Sequence, residues 1–229
     1  MFKTYKLIRK FRKFYSDGNT IIVISPDGRE TVNPKTVKKL RVSATGTKNK
    51  IVLYEPFKFS HKLRISLSSN AEIVIKPNCN LCGGCNIIKM RGEEPNFLHI
   101  GKNFGCGANA TFDITDHGNI TIGDNCMFSW NIYFKSDDTH PVISTTDGAV
   151  LNKSDEIVVG DNVWIGMNAS ILKNSRIPSH CIVGAYSVVA KRFDMENCAL
   201  AGNPARVVKT DVDWRPTSIS DYVASQQNL

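Results

Sequence analysis

No stretch of this chain approaches the ~20 consecutive apolar residues that span a bilayer. The first residues, MFKTYKLIRKFRKFY, also lack the unbroken apolar run of a signal peptide. A cytoplasmic protein is therefore expected. Residues 1–70 show no glycine fingerprint after a strand and no helical front domain, which argues against an appended nucleotide-binding module. Of the five histidines, His99 and His117 are 18 residues apart, but the four extra residues between Ile100 and Ile122 put them out of register. A zinc site of three converging imidazoles is therefore not formed, and no metal is expected. Acidic residues number 21 against 29 basic ones, leaving a net charge of +8 that favours anionic partners. The basic residues are spread along the chain and interleave with aromatics only from Lys6 to Tyr15. Nucleic acid is thus not the expected partner; an anionic glycan or a cofactor's phosphates fit equally well. The basic start reads as a short helix packed on the domain or on a neighbouring subunit. Contact with an anionic membrane surface is the alternative.

What the chain does have is a rule of six. Val159, Ile165, Ile171, Ile177, Val183 and Val189 fall at equal intervals of six with nothing inserted. A half-buried strand repeats every ~2 residues and an amphipathic helix every ~3.6. Six fits neither. It fits a parallel β-helix of hexapeptides, in which each unit makes one flat side and three sides close a coil. The aliphatic residue of each unit points inward and stacks on its counterparts above and below. The same ruler picks out Ile75, Leu81 and Ile87, then Ile100, Cys106 and Phe112, then Ile122, Phe128 and Phe134. Ile51, Phe57 and Leu63 form an earlier, less regular triplet, and Ala201 and Val207 extend the register forward. The longest gap runs from Phe134 to Val159, so a loop leaves the coil there, and it carries His140.

Seven cysteines need an explanation. Cys79-x2-Cys82-x2-Cys85 has metal-ligand spacing, but the repeat offers a simpler reading. Cys79, Cys85, Cys126 and Cys181 sit four positions after an inward aliphatic residue, where a corner has room for a small side chain. Ala169, Ser175, Ser187 and Ala205 fill the same slot elsewhere. A free cysteine behaves as a small buried hydrophobe, and these are read as core.

The 229 residues suit one domain with short appendages. Residues 1–40 form an N-terminal basic and strand segment, with a strand at Thr20–Ser25 and a Pro26-Asp27-Gly28 hairpin turn. Residues 41–210 form the β-helix. Residues 211–229 are polar, with little periodicity, and read as a loose or helical tail.

Four stretches, SDDTHPV, LNKSDEIVVGDNVWIGMNASILK, IVGAYSVVAKRF and ALAGNPARV, resemble the hexapeptide-repeat acyltransferases. In particular they resemble the bacterial enzymes that O-acetylate capsular or lipopolysaccharide sugars. The likeness covers roughly residues 71–210 and keeps the family's motif order. It implies an all-β fold whose parallel coil is left-handed, against the usual hand of parallel crossovers. It also implies a homotrimer, with acetyl-CoA lying between two coils and a sugar hydroxyl as acceptor. Transfer from a thioester to an alcohol needs a base to take the hydroxyl proton. In the family that base is the histidine matched here by His140, with Asp138 orienting the loop or the imidazole. Trp164 would stand beside the reacting centre. Met167, Ala185 and the Ala190-Lys191 pair would meet the pantetheine arm of acetyl-CoA, and Arg206 and Lys209 its phosphates. After Lys191 the family's proline-rich turn is replaced by RFDMEN.

Other readings remain open at this point. They are an acetyltransferase for a small sugar or other small acceptor, and a non-enzymatic β-helix scaffold. A scaffold would need neither the His140 loop nor the AGNPA stretch and would not bind CoA.

Overall fold

The computed structural model describes residues 13–81, 86–115 and 118–227. The chain winds as a left-handed parallel β-helix with three flat faces. The first face carries Thr20–Ile24, Lys50–Tyr54, Ala71–Ile75, Asn96–Ile100, Ile120–Ile122, Ile157–Val159 and Arg176–Ile177 as parallel rungs. The second begins at Phe57–Phe59 and climbs through Met127–Phe128, Trp164–Ile165 and Ile182–Val183 to Cys198–Gly202. The third runs from Leu40–Ala44 through Leu63–Leu67, Asn86–Met90, Thr111–Ile114, Tyr133–Lys135 and Ser170–Leu172 to Val188–Val189. Two antiparallel strands finish the stack. Glu30–Val32 folds back on Thr20–Ile24 at one end, and Ala205–Thr210 folds back on Cys198–Gly202 at the other.

The hexad spacing sets this register directly. Val159 lies opposite Ile122 and Ile177 on the neighbouring rungs, Ile165 opposite Phe128 and Val183, and Ile171 opposite Phe134 and Val189. All nine are at most 2% exposed. At mid-height the column turns aromatic: Phe112 stacks on Phe134 at 5.1 Å and Phe134 on Phe128 at 5.5 Å between ring centres. Burying such a side chain contributes about 1.5–3 kcal/mol, so each coil is held mainly by its neighbours.

The corners are made by residues that accept a left-handed backbone. Asn103, Asn125, Asn109, Asn131 and Asn168 all have φ near +60°, which asparagine tolerates better than most. Their side-chain amides also form ladders: Asn103 donates to Asn125 at 2.8 Å, and Asn131 donates to Asn168 at 3.0 Å. At Gly123 the coils approach so closely that a Cβ would sit 2.7 Å from the Gly160 carbonyl carbon. Only glycine fits there.

Several expectations are corrected. The coil begins at Thr20, not at residue 41, because Thr20–Ile24 pairs in parallel with Lys50–Tyr54. Within the segment read as an appendage, residues 20–32 are therefore the first rung plus its hairpin. On the third face Ile88, not Ile87, points inward, since Ile88 lies opposite Ile65 and Phe112. Phe59 rather than Phe57 fills the early second face, since Phe59 is buried and lies opposite Leu81 on the inward column. Leu200, not Ala201, continues the inward column over Val183. Val207 is 38% exposed because the chain has already turned back into an antiparallel strand.

The tail is partly docked rather than loose. Trp214 is 7% exposed and its indole N–H donates to the Asn162 carbonyl at 2.6 Å. Beyond it lies the helix Ile219–Gln226, whose Ser218 cap accepts from the Asp221 amide. Cys79, Cys106, Cys126, Cys181 and Cys198 are buried free thiols. Burial pushes Cys79 up to about 11 and Cys126 and Cys181 up to about 12. Cys82, Cys85, His117 and most of the basic start lie outside the described residues. Among the described residues, no helix is long and apolar enough to cross a membrane.

Candidate functional site

The long loop leaves after Tyr133–Lys135 and rejoins the coil at Ile157–Val159, replacing one corner between the third and first faces. It is an ordered structure. Ile143 and Val150 form an antiparallel bridge, and the Leu151 amide donates to the Val142 carbonyl at 2.8 Å. Asn152 is the hub. Its side-chain NH2 donates to the Asp138 carboxylate at 2.8 Å and to the His140 carbonyl at 2.9 Å. Its carbonyl oxygen accepts from the Val142 amide at 2.8 Å. One side chain therefore grips three alternate residues around the histidine.

Two lysines tie that assembly to the coil. The Lys173 ammonium reaches the Asp138 carboxylate at 2.6 Å and the Asn152 backbone carbonyl at 2.5 Å. Lys135 donates to the Asp137 carboxylate at 3.2 Å and to the Thr139 hydroxyl at 3.1 Å. Thr139 has φ +68°, an unusual conformation for a β-branched residue and a form of strain found at functional sites. The Lys173 hydrogen bond, followed by that of Asn152, holds the Asp138 carboxyl below the usual carboxylate range. Asp138 thus fastens the loop through Lys173 and Asn152. His140 itself is exposed on a groove of about 470 Å3 whose lining includes Asp138, Pro141, Val150, Asn152 and Lys153.

Trp164 lies on the second face, between Met127 and Ile182 on adjacent rungs, and is 36% exposed. Its ring is tilted against that of the docked Trp214, 6.3 Å away. Met167 and Ala185 occupy the corner between the second and third faces on consecutive coils, where the Tyr186 amide donates to the Met167 carbonyl at 2.9 Å. Arg206 lies opposite Ala201, and Ala201 stacks over Gly184 with its Cβ 3.2 Å from where a Cβ would stand. Arg206 and Lys209 are both exposed on the closing strand. Ala190 and Lys191 come at the next corner, with the Lys191 ammonium 4.9 Å from the centre of the Phe193 ring. Met167, Ala185 and Arg206 therefore climb one edge of the coil, while His140 leaves from another. A single chain does not bring Trp164 and His140 onto one face.

Lys173, Asn152 and Lys135 escaped the sequence reading, since nothing in their spacing marks them. Trp214 carried a signal, as a large aromatic in an otherwise polar tail.

Comparison with known proteins follows the same outline. The family described as "Bacterial transferase hexapeptide (six repeats)" matches residues 156–191. A polysialic acid O-acetyltransferase of Escherichia coli O1:K1 is 27% identical over 142 residues, 62% of this chain and 45% of that protein. This chain thus spans less than half of that relative's length. A Dictyostelium discoideum protein assigned to the acetyltransferases is 34% identical over 142 residues, 62% of this chain and 67% of that protein. The crystal structure of the polysialic acid O-acetyltransferase OatWY superposes with a TM-score of 0.68 at 25% identity, covering 84% of this chain and 93% of that one. With its coil, repeat and motif order in hand, the chain belongs to the hexapeptide-repeat acyltransferase family.

Proposed function

We propose that this chain moves an acetyl group from acetyl-CoA to a hydroxyl of a bacterial surface glycan, a capsule or lipopolysaccharide sugar. The observation that carries this reading is the presentation of His140. It is exposed at a groove, outside the stacked core, with Asn152, Asp138 and Lys173 holding the backbone around it. A core histidine would need no such clamp. His140 takes the proton from the acceptor hydroxyl as oxygen attacks the thioester carbonyl. The proton then goes to the departing thiolate, and no covalent enzyme intermediate is needed. Both substrates are bound together.

The edge formed by Met167 and Ala185 fits an extended pantetheine arm, because the backbone lies at an open corner there. Arg206 and Lys209, exposed near the top of that edge, suit the phosphates of CoA, and Lys191 adds a third cation at the next corner. Trp164 shields the reacting centre from water. Since His140 and Trp164 lie on different faces of one chain, the complete site forms between two subunits of a homotrimer. The reaction belongs in the cytoplasm, where acetyl-CoA is supplied.

Purified protein with acetyl-CoA and a panel of charged and neutral polysaccharides should release CoA thiol with at least one glycan. Sedimentation should show a trimer in dilute solution. A fully active monomer would remove the shared-site mechanism. Failure to bind acetyl-CoA would remove the acetyl-transfer reading.

A further inference from the structure

We infer that the third face below the His140 loop is a binding track for a polyanionic glycan, a carboxylate-bearing acceptor chain lying along the coil axis. The inference rests on the glycan-acceptor reading and adds to it a site and a charge. Arg41 stands opposite Arg64 on adjacent rungs, Ser43 opposite Ser66, and Ser66 opposite Lys89. With Lys62 they line a shallow groove of about 480 Å3. Among the described residues, none of these four cations meets a carboxylate; Arg41 donates only to the neighbouring Leu40 carbonyl at 2.8 Å.

The first face treats its charges differently. There Lys50 reaches Glu72 at 3.3 Å and Lys102 reaches Asp124 at 3.5 Å. Nearer the loop on the third face, Arg91 and Lys135 are likewise matched, by Asp113. On the third face, among the described residues, the strand cations without a carboxylate partner thus lie together on the rungs below the loop. Like charges directly opposite each other across strands are destabilising, and an anionic chain laid along them relieves that repulsion.

The groove points to a glycan rather than to nucleic acid or a second copy of this chain. It presents no aromatic ring, whereas single-stranded nucleic acid is held largely by stacking. A symmetric copy would bring the same cations to the contact. The track is also continuous with the loop: Lys89 lies opposite Asp113, and Asp113 opposite Lys135, which leads into residues 136–140. Arg41 and Tyr133 are four rungs apart through Arg64, Ile87 and Thr111, about 19 Å at the usual strand spacing. A polymer held at several rungs keeps further sugars beside His140.

The test is direct binding to the full chain, with polysialic acid, neutral dextran and single-stranded DNA as probes. The wild type should bind polysialic acid, more weakly as salt rises, and ignore dextran. Arg41→Gln/Arg64→Gln/Lys89→Gln should weaken polysialic acid binding at least about tenfold, as the loss of several exposed charge contacts would. Its melting temperature and acetyl-CoA affinity should be unchanged. The charge-keeping variant Arg41→Lys/Arg64→Lys/Lys89→Arg should bind like the wild type. Undiminished polymer binding by the Gln variant would overturn the track, as would tighter binding of DNA than of polysialic acid. Polymer binding that needs these cations, in a protein that acetylates nothing, would leave the track standing and reject the transfer reading alone.

Discussion

The Lys173 ammonium lies 2.6 Å from the Asp138 carboxylate, joining a coil corner to the loop two residues before His140. The contact is half-exposed on the aspartate side, so its contribution to global stability is small. Its value lies in where it puts the loop. Lys173→Met should therefore shift the melting temperature by less than about 4 °C while lowering kcat about 10–100-fold through misplacement of the base. A variant with normal kcat would show that the loop sets itself without this tie.

The same pair predicts a pH response. The folded Asp138 carboxyl sits below its ordinary range, with Lys173 the main cause. A carboxyl lowered on folding stabilises the loop above its unfolded pKa of about 3.9, and that contribution is lost as pH falls through the lower folded value. The loop should therefore stay set from pH 5 to 8 and loosen only below about pH 4. The Val142 amide, bonded to Asn152, reports this by NMR. Loss of that amide's protection from hydrogen exchange already between pH 5 and 7 would contradict the assignment.

His140 tests the mechanism. It lies outside the stack, so His140→Ala removes no core contact and should leave the fold and acetyl-CoA binding intact. Loss of a general base costs about 10²–10⁴-fold, so kcat should fall at least about 100-fold. Near-normal turnover would make His140 a structural loop residue and move the base elsewhere.

Trp164 separates packing from chemistry. Exposed at 36% and touching Trp214, it carries little of the core, so Trp164→Phe should barely change the melting temperature. If it shields the reacting centre, kcat falls. A loss of stability with kcat retained would make it a wall residue.

The thiols offer a check on the core. Burial raises Cys79 to about 11 and Cys126 and Cys181 to about 12, leaving almost no thiolate near neutrality. Alkylation of the native protein at pH 7.5, followed by peptide mapping, should leave these three unmodified until denaturant is added. Rapid labelling of any of them would place it outside the sealed stack.

The period of six by itself determined the coil, its inward columns from Ile100 to Val189 and the place where the loop leaves. Each unit repeats the same local geometry, so spacing along the chain becomes stacking in space. The early rungs obeyed the period less well because strands such as Leu63–Leu67 bury alternate residues, Leu63, Ile65 and Leu67, and a second inward residue hides the hexad. Closure at the top was unreadable for a related reason: whether Ala205–Thr210 continues the coil or turns back depends on pairing with Cys198–Gly202, not on its own composition. His140 was legible through its motif. Asn152 and Lys173 were not, because they meet Asp138 only once the loop has folded over the corner of the next coil. Contacts of that kind join residues that no sequence interval relates, and only the tertiary structure decides them.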